Sequence, residues 1–214
     1  VRENKREYPY YYFASSHRIM DPTGRVIAEI SGNDNEGLVV LQMHQILKGH
    51  LSLLINRIFE WLEKEGVLTP EKICKIIFQS PLFSDSHKPT VRQAIEAYFN
   101  KNHMIFIHLI IPQIEAAFRE LLIIRGGNCM KKINDSYEYK TLNDILSDEI
   151  IKNTLPEDTI FFLRVVLADK RGWNIRNNVS HGIWSEDEFN VHASQRLLQI
   201  LFLLGLFKKP AKQA

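Results

Sequence analysis

The run TVRQAIEAYFNKNHMIFIHLIIPQIEAAFRELLIIRGG, residues 90–127, decides the fold class of this chain. Its apolar residues recur at spacings of three and four, which is the pattern of a helix with a buried face. Thr90 begins a capping box, and the pair Gly126-Gly127 is a typical helix stop. Because the run is long for one globular helix, we expect a break near residues 100–102 or a kink at Pro112.

Helix signals also lie on both sides of this run. Thr69 and Pro70 open a short helix, and Ser185 begins a second capping box. With the apolar periodicity, these signals predict helices over residues 38–65, 70–79, 142–151, 156–170 and 185–207. Residues 128–139 are expected to be a polar connection.

One hairpin is expected before the helices. Residues 17–20 and 25–30 are prone to form strands, and Asp21-Pro22-Thr23-Gly24 has Pro and Gly where a type I turn prefers them. The predicted fold class is therefore all-α, a helical bundle with a small N-terminal β-hairpin. The expected organisation is a hairpin segment over 1–36, a helical domain over 37–207 and a tail over 208–214.

Composition narrows the class of protein. With 214 residues, 45% hydrophobic and 24% charged, the chain is large enough for one globular domain with its own core. Cys74 and Cys129 are too few and too far apart for a disulfide framework or a zinc site, which points to a reducing compartment such as the cytoplasm. The sequence has no P-loop, dinucleotide fingerprint, zincin helix or nucleophile elbow, so no cofactor is expected.

Charge and chain ends limit the partners. The formal net charge is +2 and the pI about 8.5, so the whole chain has no strong attraction for nucleic acid, and any such contact must be local. There is no secretory pattern, and the apolar run over 197–207 is too short to span a bilayer, so no membrane partner is expected. The chain begins at Val1, not at Met, which predicts an upstream region.

The run RNNVSHG, residues 176–182, carries the candidate chemistry. Cleaving RNA without a metal needs a base for the 2′-hydroxyl proton, an acid for the departing 5′-oxygen and a cation against the charge on phosphorus. His181 can serve as base or acid because histidine titrates near neutral pH, and Arg176 carries a permanent planar cation. Asn177 can position either group through a hydrogen bond.

The pattern Arg-Asn, three residues, His resembles the signature of the HEPN superfamily, helical domains of which many are metal-independent ribonucleases that act as dimers. Gly172-Trp173-Asn174-Ile175 and Gly182 around it are similar to the C-terminal block of an uncharacterised, mostly bacterial HEPN-like family. That family's other helix resembles HLIIPQIEAAFRELL, with matches at His108, Pro112, Glu115 and Arg119. The two blocks span most of residues 100–207. The resemblance implies an HEPN-like bundle, with a catalytic role taken from the wider superfamily.

A polar stripe on that helix has two interpretations. His108, Glu115 and Arg119 lie within about 40° of one another on a helical wheel. From spacing alone, Glu115 and Arg119 are an ordinary surface pair, and His108 is a satisfied core histidine. The resemblance implies instead that the three support the site, with Glu115 orienting Arg176 or His181.

Geometry favours a two-fold dimer. Asn174 is expected to cap a short helix over residues 176–181 that Gly182 ends. Five positions turn a helix by about 140°, so Arg176 and His181 of one copy cannot easily face one phosphate. A two-fold axis beside the motif brings both copies' groups into one cleft, as the HEPN resemblance implies, and the apolar C-terminal helix is expected to form part of the interface.

Three functions remain open. The first is an endoribonuclease for single-stranded or loop RNA, in a toxin or phage-defence context, with an upstream domain or an antitoxin-like partner. The second is a non-catalytic dimerisation, RNA-binding or nucleotide-binding module of a larger protein. In the third the motif is structural: Arg176 caps a helix, His181 is buried, and Trp173 and Trp184 anchor the loop to a core.

Overall fold

The computed structural model describes residues 16–208 apart from Pro22. These residues are mostly helical, with two antiparallel two-stranded sheets. The elements in chain order are β1 (His17–Met20), β2 (Val26–Ile30), α1 (Asn35–Lys48), α2 (His50–Lys64), α3 (Pro70–Ile77), α4 (Lys88–Phe99), α5 (His103–Ile124), β3 (Met130–Ile133), β4 (Ser136–Tyr139), α6 (Leu142–Leu146), α7 (Glu149–Thr154), α8 (Glu157–Leu167), α9 (Ile175–Ser180), a 3-10 helix (Glu186–Glu188) and α10 (Val191–Gly205). A helical fold with a small N-terminal hairpin is confirmed.

Residue contacts divide the chain into two compact units, each built from two segments. The motif unit holds the described residues up to Leu53 together with Phe161–Ser185, and it includes β1, β2, α1 and α9. The bundle unit holds Leu54–Ile160 and the described residues from Glu186 on, and it includes α3 to α7, β3, β4 and α10. The candidate motif and the stripe on α5 therefore belong to different units.

β1 and β2 of the motif unit form the predicted hairpin. Their antiparallel register pairs Ile19 with Ala28 and Met20 with Val26. The register skips Ile27, which has no partner in β1 and forms a bulge. Successive strand residues normally point to opposite faces, and a bulge is the device that changes this alternation.

Asp21 holds the turn of this hairpin. Its Oδ1 atom accepts hydrogen bonds from the backbone N–H groups of Thr23 (2.8 Å) and Arg25 (2.9 Å). Its carbonyl oxygen accepts the N–H of Gly24 at 2.9 Å, which is the closing bond of a β-turn. Pro22, the second residue of the predicted turn, lies outside the described residues.

α1 begins at Asn35, where the Oδ1 atom of Asp34 accepts the backbone N–H of Gly37 at 2.8 Å. The predicted single helix over residues 38–65 is wrong, because the chain breaks at Gly49 (φ −94°, ψ −118°) before α2 begins. A Cβ atom on Gly49 would lie 2.9 Å from the carbonyl oxygen of Gln45, so the break requires glycine. The apolar spacing continues through the break and does not reveal it.

α5 is the centre of the bundle unit. α4 and α10 pack along it, and α3 packs on both α4 and α10. The predicted break before α5 is confirmed: α4 ends at Phe99, and the Oδ1 atom of Asn102 accepts the N–H of Ile105 at 3.1 Å to cap α5. Lys101 between the two helices adopts a left-handed φ of +60°. Pro112 lies inside α5.

The predicted bounds of three further helices are wrong. α4 begins at Lys88, so the supposed cap Thr90 lies inside the helix. Residues 142–151 belong to two helices, because Asp148 caps a new start at α7. Ser185 does not open the last helix; a 3-10 turn follows it, and α10 is capped by the Asn190 side chain. In each case a nearer cap, or a proline in the first turn, competes with the predicted start.

A second hairpin occupies the expected polar connection over residues 128–139. β3 and β4 pair antiparallel, with Lys132 opposite Tyr137. The two-residue turn contains Asn134 at φ +54°, a conformation that asparagine tolerates better than most residues. An Asn-Asp pair between two short strand-prone runs was the signal for this turn.

Among the described residues, one segment has the length and composition of a membrane span. It is Asn35–Lys64, and 22% of its most apolar stretch is buried. Core helices of soluble proteins share these properties, so the segment is weak support for a membrane partner. The cytoplasmic location stays a prediction.

Candidate functional site

The motif lies on α9, behind a loop that is held tightly against α8. A Cβ atom on Gly172 would lie 2.4 Å from the carbonyl oxygen of Val165, so the loop passes too close for any side chain at this position. The N–H of Trp173 donates to the same oxygen at 2.7 Å. The Trp173 ring is buried and packs edge-on against His44, with ring centroids 6.3 Å apart. The prediction that Trp173 anchors the loop agrees with this packing.

Asn174 starts α9 in an unexpected way. It occupies the N-cap position with a left-handed backbone (φ +53°, ψ +34°), and its side chain makes no capping hydrogen bond. The predicted capping role is therefore wrong. A left-handed residue points its side chain differently from the extended residue that usually caps a helix. Asn174 is 5% exposed, and its amide is used for a different contact.

Three asparagine side chains form a hydrogen-bonded chain that ends on Arg176. The Nη1 atom of Arg176 donates to Oδ1 of Asn177 at 2.9 Å. The Nδ2 atom of Asn177 donates to Oδ1 of Asn174 at 2.6 Å, and Nδ2 of Asn174 donates to Oδ1 of Asn178 at 3.4 Å. We call Asn174, Asn177 and Asn178 the asparagine chain. Its amides all run in the same donor-to-acceptor direction, away from the guanidinium.

Two backbone carbonyls fix the direction of this chain. The Nδ2 atom of Asn177 also donates to the carbonyl oxygen of Ala168 at 3.2 Å, so both of its hydrogens are in use. The Nδ2 atom of Asn178 donates to the carbonyl oxygen of Trp173 at 3.2 Å. Because those carbonyls accept only, each amide must turn its nitrogen toward them. The Asn177 oxygen is thereby left facing Arg176.

The end of α9 presents His181 to solvent. The N–H of Gly182 donates to the carbonyl of Val179 at 3.1 Å, and the N–H of Ile183 donates to the carbonyl of Asn178 at 2.8 Å. These two bonds define a Schellman motif, and Gly182 supplies its left-handed residue at φ +63°. The predicted helix stop at Gly182 is confirmed. His181 itself is exposed, which argues against the purely structural role that required a buried histidine.

A cavity of about 560 Å³ lies in the motif unit beside His181. Its lining comes from β2, from the loop before α9 and from α9 and its end: Val26, Ile27, Lys170, Asn174, Asn177, Asn178, His181 and Ile183. Arg176 is not among the lining residues. Among the predicted site residues, His181, Asn177 and Asn174 therefore line one cavity, and Arg176 joins them through Asn177.

An ionic cluster fixes the same loop to the start of α1. Arg171 contacts Asp169 at 2.9 Å and Asp34 at 3.1 Å, and its side chain is 20% exposed. Burial raises the pKa of Asp169, but the hydrogen bonds and charge of Arg171 outweigh burial and leave that pKa below its ordinary value. The sequence analysis did not single out this cluster. The signal was an Asp and an Arg two positions apart just after a helix.

The stripe residues of α5 lie in the bundle unit. The Arg119 guanidinium pairs with Glu115 at 2.8 Å and lies 5.5 Å from the ring centroid of Tyr139. Glu115 is 8% exposed, so this pair is not an ordinary surface pair. His108 is exposed and stacks on Phe189 with ring centroids 4.9 Å apart, so the core-histidine interpretation is wrong. The orientation of Arg176 or His181 by Glu115 stays a prediction.

Cysteines and metal-ligating side chains add no further site among the described residues. Cys74 and Cys129 are both free thiols, and burial raises the pKa of Cys74. Within residues 16–208, Pro22 aside, no group of three His, Cys, Asp or Glu side chains is placed to hold a metal ion.

The sequence analysis missed several residues of the cavity, chiefly Lys170, Asn178 and the β2 wall. Asn178 stands inside the quoted motif, and three asparagines within five positions were a visible signal. The wall formed by Val26 and Ile27 depends on the bulge, which no local sequence pattern predicts.

This chain matches no protein-family model, no curated protein and no solved structure. The structure defines the class as a mostly helical protein in which a short polar helix carries Arg176 and His181 next to a cavity.

Proposed function

We propose that this chain is a metal-independent endoribonuclease of the HEPN type, which cleaves single-stranded or loop RNA at a site shared by two copies. The observation that carries the proposal is the asparagine chain, which fixes the Asn177 oxygen toward the Arg176 guanidinium. A guanidinium oriented before substrate binds is what electrostatic stabilisation of a phosphoryl transition state requires. The exposed imidazole of His181 at the end of the same helix supports the proposal.

The proposed reaction is a transesterification within the RNA strand. One His181 removes the proton from the 2′-hydroxyl, and the 2′-oxygen forms a bond to phosphorus. The bond from phosphorus to the 5′-oxygen breaks, and His181 of the second copy gives its proton to that oxygen. The products are a 2′,3′-cyclic phosphate and a 5′-hydroxyl. Arg176 binds the non-bridging oxygens, where negative charge gathers in the transition state.

RNA without a duplex is the expected substrate. In-line attack needs the 2′-oxygen, phosphorus and 5′-oxygen on one line, and a helical duplex resists that geometry. The small formal charge of +2 also predicts local contacts to a short stretch of strand.

The second copy is needed because the motif supplies one arginine and one histidine per chain. The apolar α10 was expected at the interface, but ten of its fifteen residues are already buried within the chain. α2 exposes more of its apolar side chains than α10 does: Leu54, Ile58 and Trp61 are 58%, 50% and 59% exposed. We therefore expect α2 to contribute to the dimer. Light scattering at micromolar concentration tests the oligomeric state.

A non-catalytic RNA-binding or nucleotide-binding module is the second candidate. The cavity favours it, because a pocket of about 560 Å³ beside His181 can bind a ligand whether or not chemistry follows. A partner protein or an upstream domain would then respond to the bound RNA or nucleotide. RNA cleavage separates the two candidates.

The decisive experiment incubates the purified chain with a fluorescent RNA of mixed sequence in EDTA. We expect cleavage that depends on both Arg176 and His181. Arg125→Ala is a matched control for Arg176→Ala, because Arg125 is exposed and lies outside the motif, the cavity and α2. A chain that binds the RNA but leaves it intact is the binding module.

A further inference from the structure

The cavity beside His181 has an apolar side. Val26 and Ile27 from β2 line it together with Ile183 from the end of α9. Neighbouring strand residues usually point to opposite faces, but Ile27 is the bulged residue, and both Val26 and Ile27 line the cavity. Val26 is 47% exposed although it is a large apolar residue. This wall offers apolar surface to a flat apolar ring.

The other side of the cavity is made of amides. Both Nδ2 hydrogens of Asn177 are used within the protein. Asn178 uses one Nδ2 hydrogen for the carbonyl of Trp173. Among the described residues, its oxygen accepts only the long 3.4 Å bond from Asn174. Asn178 therefore has a donor and an acceptor side by side for a ligand. The edges of nucleobases carry the matching acceptor and donor pairs.

The rim of the cavity carries one cation and one imidazole. Lys170 and His181 both line it and both are exposed. Lys170 forms no ion pair with any residue in the described part of the chain. An ammonium group beside an imidazole, next to apolar and amide walls, fits a phosphate that is attached to a base.

Size agrees with a ligand of this kind. Small-molecule sites usually span about 300 to 1,000 Å³, and this cavity of about 560 Å³ has room for one nucleotide but not for a duplex. We propose that it binds one nucleotide of an RNA strand, with the base between the β2 wall and the Asn178 amide and the phosphate at Lys170. This inference rests on the proposed function, because it places that nucleotide next to the bond that His181 acts on.

A consequence is that cleavage depends on the base at one position. The Asn178 amide offers one donor and one acceptor. It pairs well with a base edge that carries the matching acceptor and donor, whereas on other base edges a donor would face a donor or an acceptor would face an acceptor. Random RNA should therefore be cut with a preference of about tenfold or more for particular bases beside the cleaved bond. Replacing Asn178 should flatten that preference.

Binding of mononucleotides tests the inference without any need for cleavage. The four nucleoside 5′-monophosphates are compared with ribose 5-phosphate, which lacks a base, by calorimetry or by chemical-shift titration of the full chain. We expect at least one nucleotide to bind about tenfold more tightly than ribose 5-phosphate. Val26→Asp and Lys170→Glu should each weaken that binding about fivefold or more. The first places a charge on the apolar wall, and the second reverses the charge at the rim.

Matched variants keep the test free of folding effects. Met20→Asp is the control for Val26→Asp, because Met20 pairs with Val26 across the hairpin, is 56% exposed and does not line the cavity. Lys132→Glu is the control for Lys170→Glu, because Lys132 is an exposed lysine of the bundle unit. Both should bind nucleotides like the parent. Equal binding of ribose 5-phosphate and all four nucleotides, or full binding by Val26→Asp, overturns the inference.

Nucleotide binding by the cavity and RNA cleavage by the motif can be tested separately. If nucleotides bind as expected but RNA is never cleaved, the cavity assignment stands and the ribonuclease fails. If RNA is cleaved with no base preference and Val26→Asp cleaves like the parent, the ribonuclease stands and the cavity assignment is wrong.

Discussion

The Arg176 guanidinium and the Asn177 amide oxygen are joined by a hydrogen bond of 2.9 Å, while both hydrogens of the Asn177 amide are held by Ala168 and Asn174. The oxygen cannot turn away from Arg176 without breaking both of those bonds. Asn177 is therefore a fixed acceptor for the guanidinium, and we expect its role in the motif to be positional.

This relationship predicts the behaviour of Asn177→Asp. The substitution keeps the shape but places a carboxylate oxygen against two acceptors, the Asn174 oxygen and the Ala168 carbonyl. We expect a loss of about 1–3 kcal/mol in the free energy of unfolding and a loss of RNA cleavage of about tenfold or more. Urea unfolding and the cleavage assay measure the two effects.

Asn143→Asp is the matched control for that variant, because Asn143 is exposed on α6. It should unfold and cleave like the parent. An Asn177→Asp chain that retains full activity would show that the asparagine chain does not position Arg176 for catalysis.

Asn174→Gly separates the backbone role of Asn174 from its side-chain role. Glycine accepts the left-handed backbone at φ +53° readily, so removal of strain offsets part of the lost hydrogen bonding. We expect stability to change by less than about 1 kcal/mol while cleavage falls, because the asparagine chain is cut in its middle. Thermal melting and cleavage rates should thus diverge, and a parallel loss of both would assign Asn174 a structural role alone.

Local signals predicted much of the helical fold. The break at residues 100–102, the stop at Gly126 and the cap at Thr69 are set by neighbours within four positions, so they can be read from the sequence. The break at Gly49 was not predicted although its neighbour Gln45 is only four positions away, because the apolar spacing continues through the break. Thr90 was a wrong helix start because the helix begins two positions earlier, at Lys88, with Pro89 in its first turn.

The site was predictable only in part. Arg176, Asn177 and His181 form one sequence motif, and the structure keeps them on or at the end of one short helix. The asparagine chain depends on the left-handed backbone of Asn174, and the cavity depends on the Ile27 bulge. The three asparagines are close in sequence, but residue spacing predicts neither the left-handed backbone of Asn174 nor the bulge at Ile27. The cavity also joins β2 to residues 170–183, which are distant from it in sequence.

Acid should weaken the motif unit through Asp169. The pKa of this carboxyl is below the ordinary value of 3.8 in the folded chain, so its ionised form stabilises the fold above that pH. That contribution is lost as pH falls from about 3.8 through the lower folded-state value. The stability difference between the parent and Asp169→Asn should be constant above about pH 5 and should shrink below about pH 4.

Urea unfolding at several pH values measures this difference, with Asp135→Asn in the exposed β3–β4 turn as control. The control should follow the parent at every pH. A difference between the parent and Asp169→Asn that grows as pH falls would contradict the assigned direction of the pKa shift.

Glu115→Gln tests whether the α5 stripe supports the site. The amide keeps the shape of the side chain but loses the charge that pairs with Arg119 at 2.8 Å. We expect cleavage to fall, but by less than either motif substitution, because Glu115 would act only through another residue. The pH profile of cleavage should shift as well if Glu115 orients His181. A change in thermal stability alone would make Glu115 and Arg119 a structural pair.

Arg176→Ala and His181→Ala test the proposed chemistry directly. If the imidazole moves protons and the guanidinium binds the phosphate, each substitution should lower the cleavage rate by about two orders of magnitude or more while the chain stays folded. The double variant should be little worse than the worse single one, because groups that act as a unit are not additive. Cleavage should survive EDTA and leave a 2′,3′-cyclic phosphate, since the attacking group is the 2′-hydroxyl of the RNA itself. Two alanine variants as active as the parent, or activity that EDTA abolishes and magnesium restores, would remove the ribonuclease proposal and leave the nucleotide-binding module.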